Sequence, residues 1–124
     1  MVAILVVDDD RALLDGLTSL FELRLPGARI ETCESAAVAF QQLKNKHYDV
    51  LISDVKLPGG GLNVLMAAKA SSPSMPVLMI SGSGDPDLKR SVRRMGAVDL
   101  IEKPFDRDQL MRAVVSAVAT GSPQ

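Results

Sequence analysis

The sequence predicts a doubly wound α/β domain, a five-stranded parallel sheet with helices on both faces, and three observations predict it. Short apolar runs alternate with longer amphipathic stretches five times along the 124 residues, the pattern of strands joined by helical crossovers. Two of the runs, around Leu51-Ile52 and Leu78-Met79-Ile80, are apolar at consecutive positions, so both faces of those strands need cover. Turn and cap residues punctuate the boundaries.

The first strand is read over Ala3 to Asp8. Leu13, Leu14, Leu17, Leu20 and Phe21 then recur at helical spacing until Pro26-Gly27 stops the helix. The second strand is Arg29 to Cys33, and Ser35 is placed to cap a second helix whose buried stripe is expected to be Val38 and Leu43. The third strand, Val50 to Asp54, leads through a flexible turn at Pro58-Gly59-Gly60-Gly61 to a helix with Leu62, Leu65 and Met66 inward. The fourth, Val77 to Ser81, precedes Asp85 as N-cap and Pro86 at the first helical position, where a missing N–H is no loss. Its helix carries Leu88, Val92 and Met95 and closes at Gly96. The fifth strand, Val98 to Ile101, is followed by a helix on Leu110, Val114 and Val118. Residues 1–119 make one domain, and Thr120-Gly121-Ser122-Pro123-Gln124 reads as a frayed tail or the start of a linker.

A domain of this length buries roughly two thirds of the surface its unfolded chain exposes. Its composition, 47% apolar and 23% charged, suits a globular domain. A formal net charge of -1 offers no general attraction to nucleic acid or acidic membranes, and 3% aromatic residues without Trp leave little for base stacking. Direct nucleic-acid binding and membrane binding are therefore not expected. Cys33 is the sole cysteine, which excludes an internal disulfide or a thiolate zinc cluster and reads as a core residue in a reducing compartment. The N-terminal apolar run has no basic leader and meets three Asp after Val7, so neither a secretory segment nor a spanning helix is expected. A cytoplasmic protein is the expectation.

Ligands of open parallel sheets bind beyond the carboxyl ends of the strands, and the polar residues of interest collect there. Asp8 and Asp9 close the first strand, Asp54 the third and Ser81 the fourth, while Lys103 follows the fifth with Pro104 directly after it. Carboxylates gathered at one sheet edge are costly without a cation or a shifted protonation state. A divalent metal is the simplest remedy, and an all-oxygen set suits Mg²⁺ better than zinc. Asp10 is read as the cap or first-turn residue of the first helix, and His47 as a surface or capping residue. Lys89, Arg90, Arg93 and Arg94 lie around the exposed side of the fourth helix, as a solvated face or a docking face.

Four segments, ILVVDDD (Ile4 to Asp10), LISDVKLPGGG (Leu51 to Gly61), MISGSGD (Met79 to Asp85) and GAVDLIEKPF (Gly96 to Phe105), together resemble the receiver domain of bacterial two-component response regulators, the CheY-like superfamily. The resemblance implies a flavodoxin-like sheet of order 2-1-3-4-5 with five helices, working as a phosphorylation-controlled switch and not as an enzyme. Asp54 would accept a phosphoryl group from a sensor histidine kinase. Asp9 and Asp54 would ligate Mg²⁺, Asp8 would hold it through water, and the backbone carbonyl of Lys56 would complete the protein ligands. Lys103 and Ser81 would hold phosphoryl oxygens, Gly82 would leave the phosphodonor room, and the bond from Lys103 to Pro104 would be cis. Lys56 and Ser83 occupy positions that tune phosphoryl lifetime in the family. An output domain or a downstream protein would read the switch, and a homodimer through the fourth helix, fifth strand and fifth helix is a further expectation.

The sequence departs from the family at Leu100, where many receivers carry Tyr or Phe three residues before the lysine. A branched aliphatic side chain has neither a ring's two rotamer states nor a phenolic hydroxyl, so activation is expected to be read through the fourth helix and its preceding loop. Two rival readings are a degenerate receiver that binds a partner constitutively and an aspartyl-phosphate phosphohydrolase of the haloacid dehalogenase type. The second wants Asp-x-Asp, and Asp54-Val55-Lys56 lacks the second carboxylate. A flavodoxin-like cofactor binder would want a phosphate-cradling loop where Asp8-Asp9-Asp10 stands.

Overall fold

The five apolar runs become five parallel strands, β1 (Ala3–Val7), β2 (Arg29–Cys33), β3 (Val50–Asp54), β4 (Val77–Ser81) and β5 (Asp99–Glu102), in the order β2-β1-β3-β4-β5. The structure, a computed structural model, describes residues 1–121. A helix follows each strand: α1 (Arg11–Arg24), α2 (Ala36–Asn45), α3 (Gly61–Ser71), α4 (Pro86–Arg94) and α5 (Arg107–Gly121). Strand alternation sorts the side chains into two layers. Ile4, Val6, Val50, Ile52, Leu78 and Ile80 form one with Leu14, Leu17 and Phe21 of α1 and Leu110 and Val114 of α5. Leu5, Val7, Leu51 and Met79 form the other with Ala36 and Ala39 of α2, Val64, Leu65 and Ala68 of α3 and Val92 of α4. Every position of β1, β3 and β4 is buried, which is why their sequences run apolar at successive residues instead of alternating. Each fully buried Leu or Ile contributes about 1.5–3 kcal/mol, so these three strands are the mechanical base of whatever sits at their ends.

The caps form where the side chains predict them. Asp10 accepts from the Leu13 amide (3.1 Å), Ser35 from Val38 (3.3 Å) and Asp85 from Asp87 (2.9 Å). Several boundaries and stripes differ from expectation. β1 ends at Val7, because the Asp8 amide still reaches the Cys33 carbonyl at 3.1 Å while the Asp8 carboxylate accepts from the Asp10 amide at 2.9 Å and turns the chain. β5 is shifted by one, pairing from Leu78↔Asp99 to Ser81↔Glu102, with Val98 left largely exposed after the turn at Gly96 (φ 107°). In α2 the buried positions are Ala36 and Ala39, with Leu43 partly covered, and Val38 faces out. Val38 and Leu43 are five residues apart, about 140° around a helix, too far to share a narrow stripe. In α3 Val64, Leu65 and Ala68 are buried and Met66 is exposed; that helix is apolar on nearly every side, so periodicity alone could not choose the face.

The glycine turn after β3 is tied by backbone hydrogen bonds. Its amides at Gly60 and Gly61 donate to Leu57 and Val55 (2.8 and 2.9 Å), and the Pro58 carbonyl accepts from Ala36 (2.9 Å). A Cβ at Gly61 would lie 1.8 Å from the Asp54 carbonyl oxygen, so only glycine lets α3 start there. At the other end of the chain, Thr120 and Gly121 belong to α5, and the remainder of the expected tail, residues 122–124, lies outside the described residues.

Candidate functional site

β1 and β3 are neighbours in the sheet although β2 lies between them in sequence, so the strand order reverses there. The crevice at that reversal opens at the carboxyl ends of the strands. Asp8 follows β1 and is fully buried, Asp54 ends β3 and is nearly so, and Asp9 stands exposed beside them. One carboxylate oxygen from each lies within 4.8 Å of the others. Lys103, delivered by the end of β5, places its Nζ 2.9 Å from Asp8 Oδ2 and 2.9 Å from Asp54 Oδ2. Three carboxylates thus face one ammonium.

The surroundings of these groups shift their proton affinities. Burial pushes the Asp8 carboxyl above its ordinary value of 3.8, and the nearby Asp54 charge adds to it, against the Asp10 amide and Lys103. Burial alone would lower Lys103, but its hydrogen bonds to Asp54 and Asp8 outweigh burial and hold the ammonium above 10.5. Lys103 is therefore charged across the physiological range. The acidic oxygens keep an excess negative charge after that pairing, and an all-oxygen set with such an excess fits Mg²⁺.

The remaining sequence-predicted residues line the same edge. Ser81 is buried, its Oγ accepts from the Ser83 amide (3.0 Å), and its carbonyl accepts from the Lys103 amide (2.8 Å), so β4 and β5 are tied together where these two groups stand. The Lys56 amide donates to Asp54 Oδ1 at 3.2 Å. Gly82 is exposed, with open space where a Cβ would stand. The Lys103-Pro104 bond is cis. Leu100 is buried in the layer that holds Val92, with Leu88 and Met95 packed against it. Asp99 beside it pairs with Arg93 (2.9 Å) and Lys89 (3.6 Å), and Arg90 pairs with Asp87, so three of the four α4 cations already have carboxylate partners.

Asp10 caps α1 and stays outside the cluster. His47 is exposed, 3.9 Å from Asp49, ahead of the amino end of β3 and so at the sheet edge opposite the carboxyl ends that carry the acidic residues. Cys33 is buried, and burial pushes its thiol up to about 11, as befits a core residue. Sequence reasoning missed the second partner of Lys103, Asp8, which lies 95 residues away. It also missed an open groove of about 390 Å³ beside the site, lined by Leu13, Gly16 and Leu17 of α1 and by Lys103, Pro104 and Phe105.

The model of the response regulator receiver domain family matches residues 4–115. The transcriptional regulatory protein FixJ of Bradyrhizobium diazoefficiens is 34% identical over 97% of this chain and 58% of its own length. The response regulator protein TodT of Pseudomonas putida is 34% identical over 98% of this chain and 53% of its own. The chain thus spans little more than half the length of these relatives. Among solved structures, the beryllofluoride-activated NtrC4 receiver domain dimer superposes with a TM-score of 0.91 at 28% identity, covering 98% of this chain and 100% of that one.

Proposed function

Since the chain belongs to the response regulator receiver domain family, we propose that Asp54 accepts a phosphoryl group from a sensor histidine kinase and that an output domain or downstream protein reads the change. An Asp54 carboxylate oxygen attacks the phosphorus of the phosphohistidine, the phosphorus–nitrogen bond breaks, and the imidazole leaves with the electron pair. The observation that carries this reading is the Lys103 ammonium, 2.9 Å from both Asp8 and Asp54 amid three carboxylates. Asp8, Asp9, Asp54 and the Lys56 carbonyl would hold Mg²⁺, which when bound offsets negative charge on the transferring phosphoryl group.

Phosphorylation adds about -1.5 to -2 charge and three acceptor oxygens. Lys103 then exchanges an aspartate oxygen for phosphoryl oxygens, at the end of the strand that also carries Leu100. The Ser81 hydroxyl accepts from Ser83 and still has a proton to donate. Donating it to the phosphoryl group draws the loop ahead of α4 toward Asp54, and α4 with β5 transmits the shift. The kinase approaches over the groove between α1 and Phe105, which borders Lys103.

The domain is a switch whose only chemistry is its own phosphoryl transfer and slow hydrolysis. A longer protein that controls transcription is supported by the name of the FixJ relative and by the share of it that the chain spans. The dimeric NtrC4 receiver supports self-association, for which the α4, β5 and α5 face is the surface proposed. The buried free thiol of Cys33 supports a place in the cytoplasm. Among the described residues no helix is long and apolar enough to cross a membrane.

The test is incubation with Mg²⁺ and acetyl phosphate followed by intact mass. Wild type gains one phosphoryl group, and the gain disappears without Mg²⁺ and in Asp54→Ala. No gain by the wild type would overturn the reading in favour of a constitutive interaction module.

A further inference from the structure

We infer that Ser53 is a positioning residue for the turn from Asp54 to Lys56, acting through the backbone carbonyl of Asp54; this rests on the reading of that turn as the phosphoacceptor and metal site. Ser53 is fully buried, and its register partners on either side are Val7 and Met79. It sits on the face of β3 shared with Leu51, toward the apolar layer under α2, α3 and α4. A hydroxyl at such a place is costly unless it is bonded. Its bond goes to the Asp54 carbonyl at 3.1 Å.

That carbonyl belongs to the last residue of β3. A second group presses on the same oxygen: Gly61, where even a Cβ would lie 1.8 Å away, and whose amide donates to the Val55 carbonyl at 2.9 Å. The peptide between Asp54 and Val55 is thus held by a hydroxyl and by the first residue of α3. The N–H of that same peptide, on Val55, donates to the Ile80 carbonyl (2.9 Å), and the next amide, Lys56, donates to Asp54 Oδ1 (3.2 Å). Rotation of the held peptide would carry along the Lys56 amide, which orients the Asp54 carboxylate, and the Lys56 carbonyl proposed for the metal. Ser53 touches neither metal nor phosphoryl group, so its effect is on placement alone.

The experiment compares wild type with Ser53→Ala, Ser53→Thr and Ser53→Val, the last two sharing a shape but not a hydroxyl. Calorimetric titration reads Mg²⁺ affinity, and two-dimensional NMR reads the Lys56 amide. Ser53→Ala and Ser53→Val weaken Mg²⁺ binding about fivefold, the size of one neutral hydrogen bond, and move the Lys56 amide resonance, while Ser53→Thr stays near wild type. Where the bulkier pair fails to fold, Ser53→Ala decides. Wild-type affinity and an unmoved Lys56 amide in Ser53→Ala would overturn the inference, as would Ser53→Thr binding as weakly as Ser53→Val. If wild type takes phosphoryl from acetyl phosphate and the variants bind Mg²⁺ alike, only this inference falls. A wild type that binds no Mg²⁺ overturns it together with the reading it rests on.

Discussion

Around Glu31 one carboxylate meets two cations and a phenol, whereas at Asp54 three carboxylates meet one ammonium. In the first cluster, on edge strand β2, the Tyr48 hydroxyl donates to Glu31 at 2.5 Å, Lys46 Nζ lies 3.2 Å from both oxygens and Arg29 Nε 3.2 Å from one. Arg29 also stacks over the Tyr48 ring at 5.4 Å. The proton affinities move accordingly: the Tyr48 hydrogen bond, with Lys46, holds Glu31 below 4.5, while burial and Glu31 push Tyr48 up. In the second cluster burial pushes Asp8 the opposite way. Around Glu31 the cations outnumber the carboxylate, so that group calls for no further cation. The Asp54 group is left short of positive charge by the fold, and that shortfall is what a cation can fill.

The sharpest way to break this contrast is to remove the ammonium from the acidic edge. Lys103→Met leaves buried Asp8 beside Asp54 without a cation and destabilises the domain by about 3 kcal/mol in the absence of Mg²⁺, the scale of a broken buried pair. Thermal unfolding with and without Mg²⁺ checks this, and Mg²⁺ recovers more stability in the variant than in wild type. A variant as stable as wild type in metal-free buffer would mean that the excess negative charge is not confined by Lys103.

Next in size is the cation itself. Mg²⁺ at a hundred times its dissociation constant stabilises wild type by about 2.7 kcal/mol, through binding to the folded state only. The same addition leaves the difference between wild type and a Glu31 variant unchanged, because cations already outnumber the carboxylate there. Chemical denaturation of both proteins reads the two increments side by side.

The smallest effect is at the Glu31 cluster. Glu31→Gln costs about 1 kcal/mol at neutral pH, the scale of charge-assisted bonds on a partly covered surface. Because the folded state holds Glu31 below 4.5, its contribution is complete above that value and is lost as pH falls through the lower folded-state value. The stability gap between wild type and Glu31→Gln therefore closes on acidification, which denaturant titrations from neutral to acid pH measure. A gap independent of pH would assign the effect to packing.

Much of the acidic edge was legible because its signals are local. Asp8 stands directly after an apolar run with Asp9 next to it, and Asp54 and Lys103 each stand one residue beyond another, so strand ends and chemistry could be read together. Ser53 was hidden by the same logic: a single hydroxyl inside an apolar run looks like a tolerated core residue until its bond to the Asp54 carbonyl is seen. Val38 and Met66 were misplaced for a different reason. In α2 alanines are buried and in α3 nearly every side is apolar, so the inward face depends on which neighbour packs there.

The sequence by itself determined five parallel strands with intervening helices, their caps, and carboxylates at the carboxyl ends, since period, cap chemistry and charge all act over a few residues. The tertiary structure alone decided which faces of α2 and α3 turn inward and that Gly61 must press against the Asp54 carbonyl. It also decided that Lys103 bridges Asp8 and Asp54, 95 and 49 residues away. Contacts over such separations depend on how whole strands and helices stack, and no local pattern of residues encodes the ångströms that separate them.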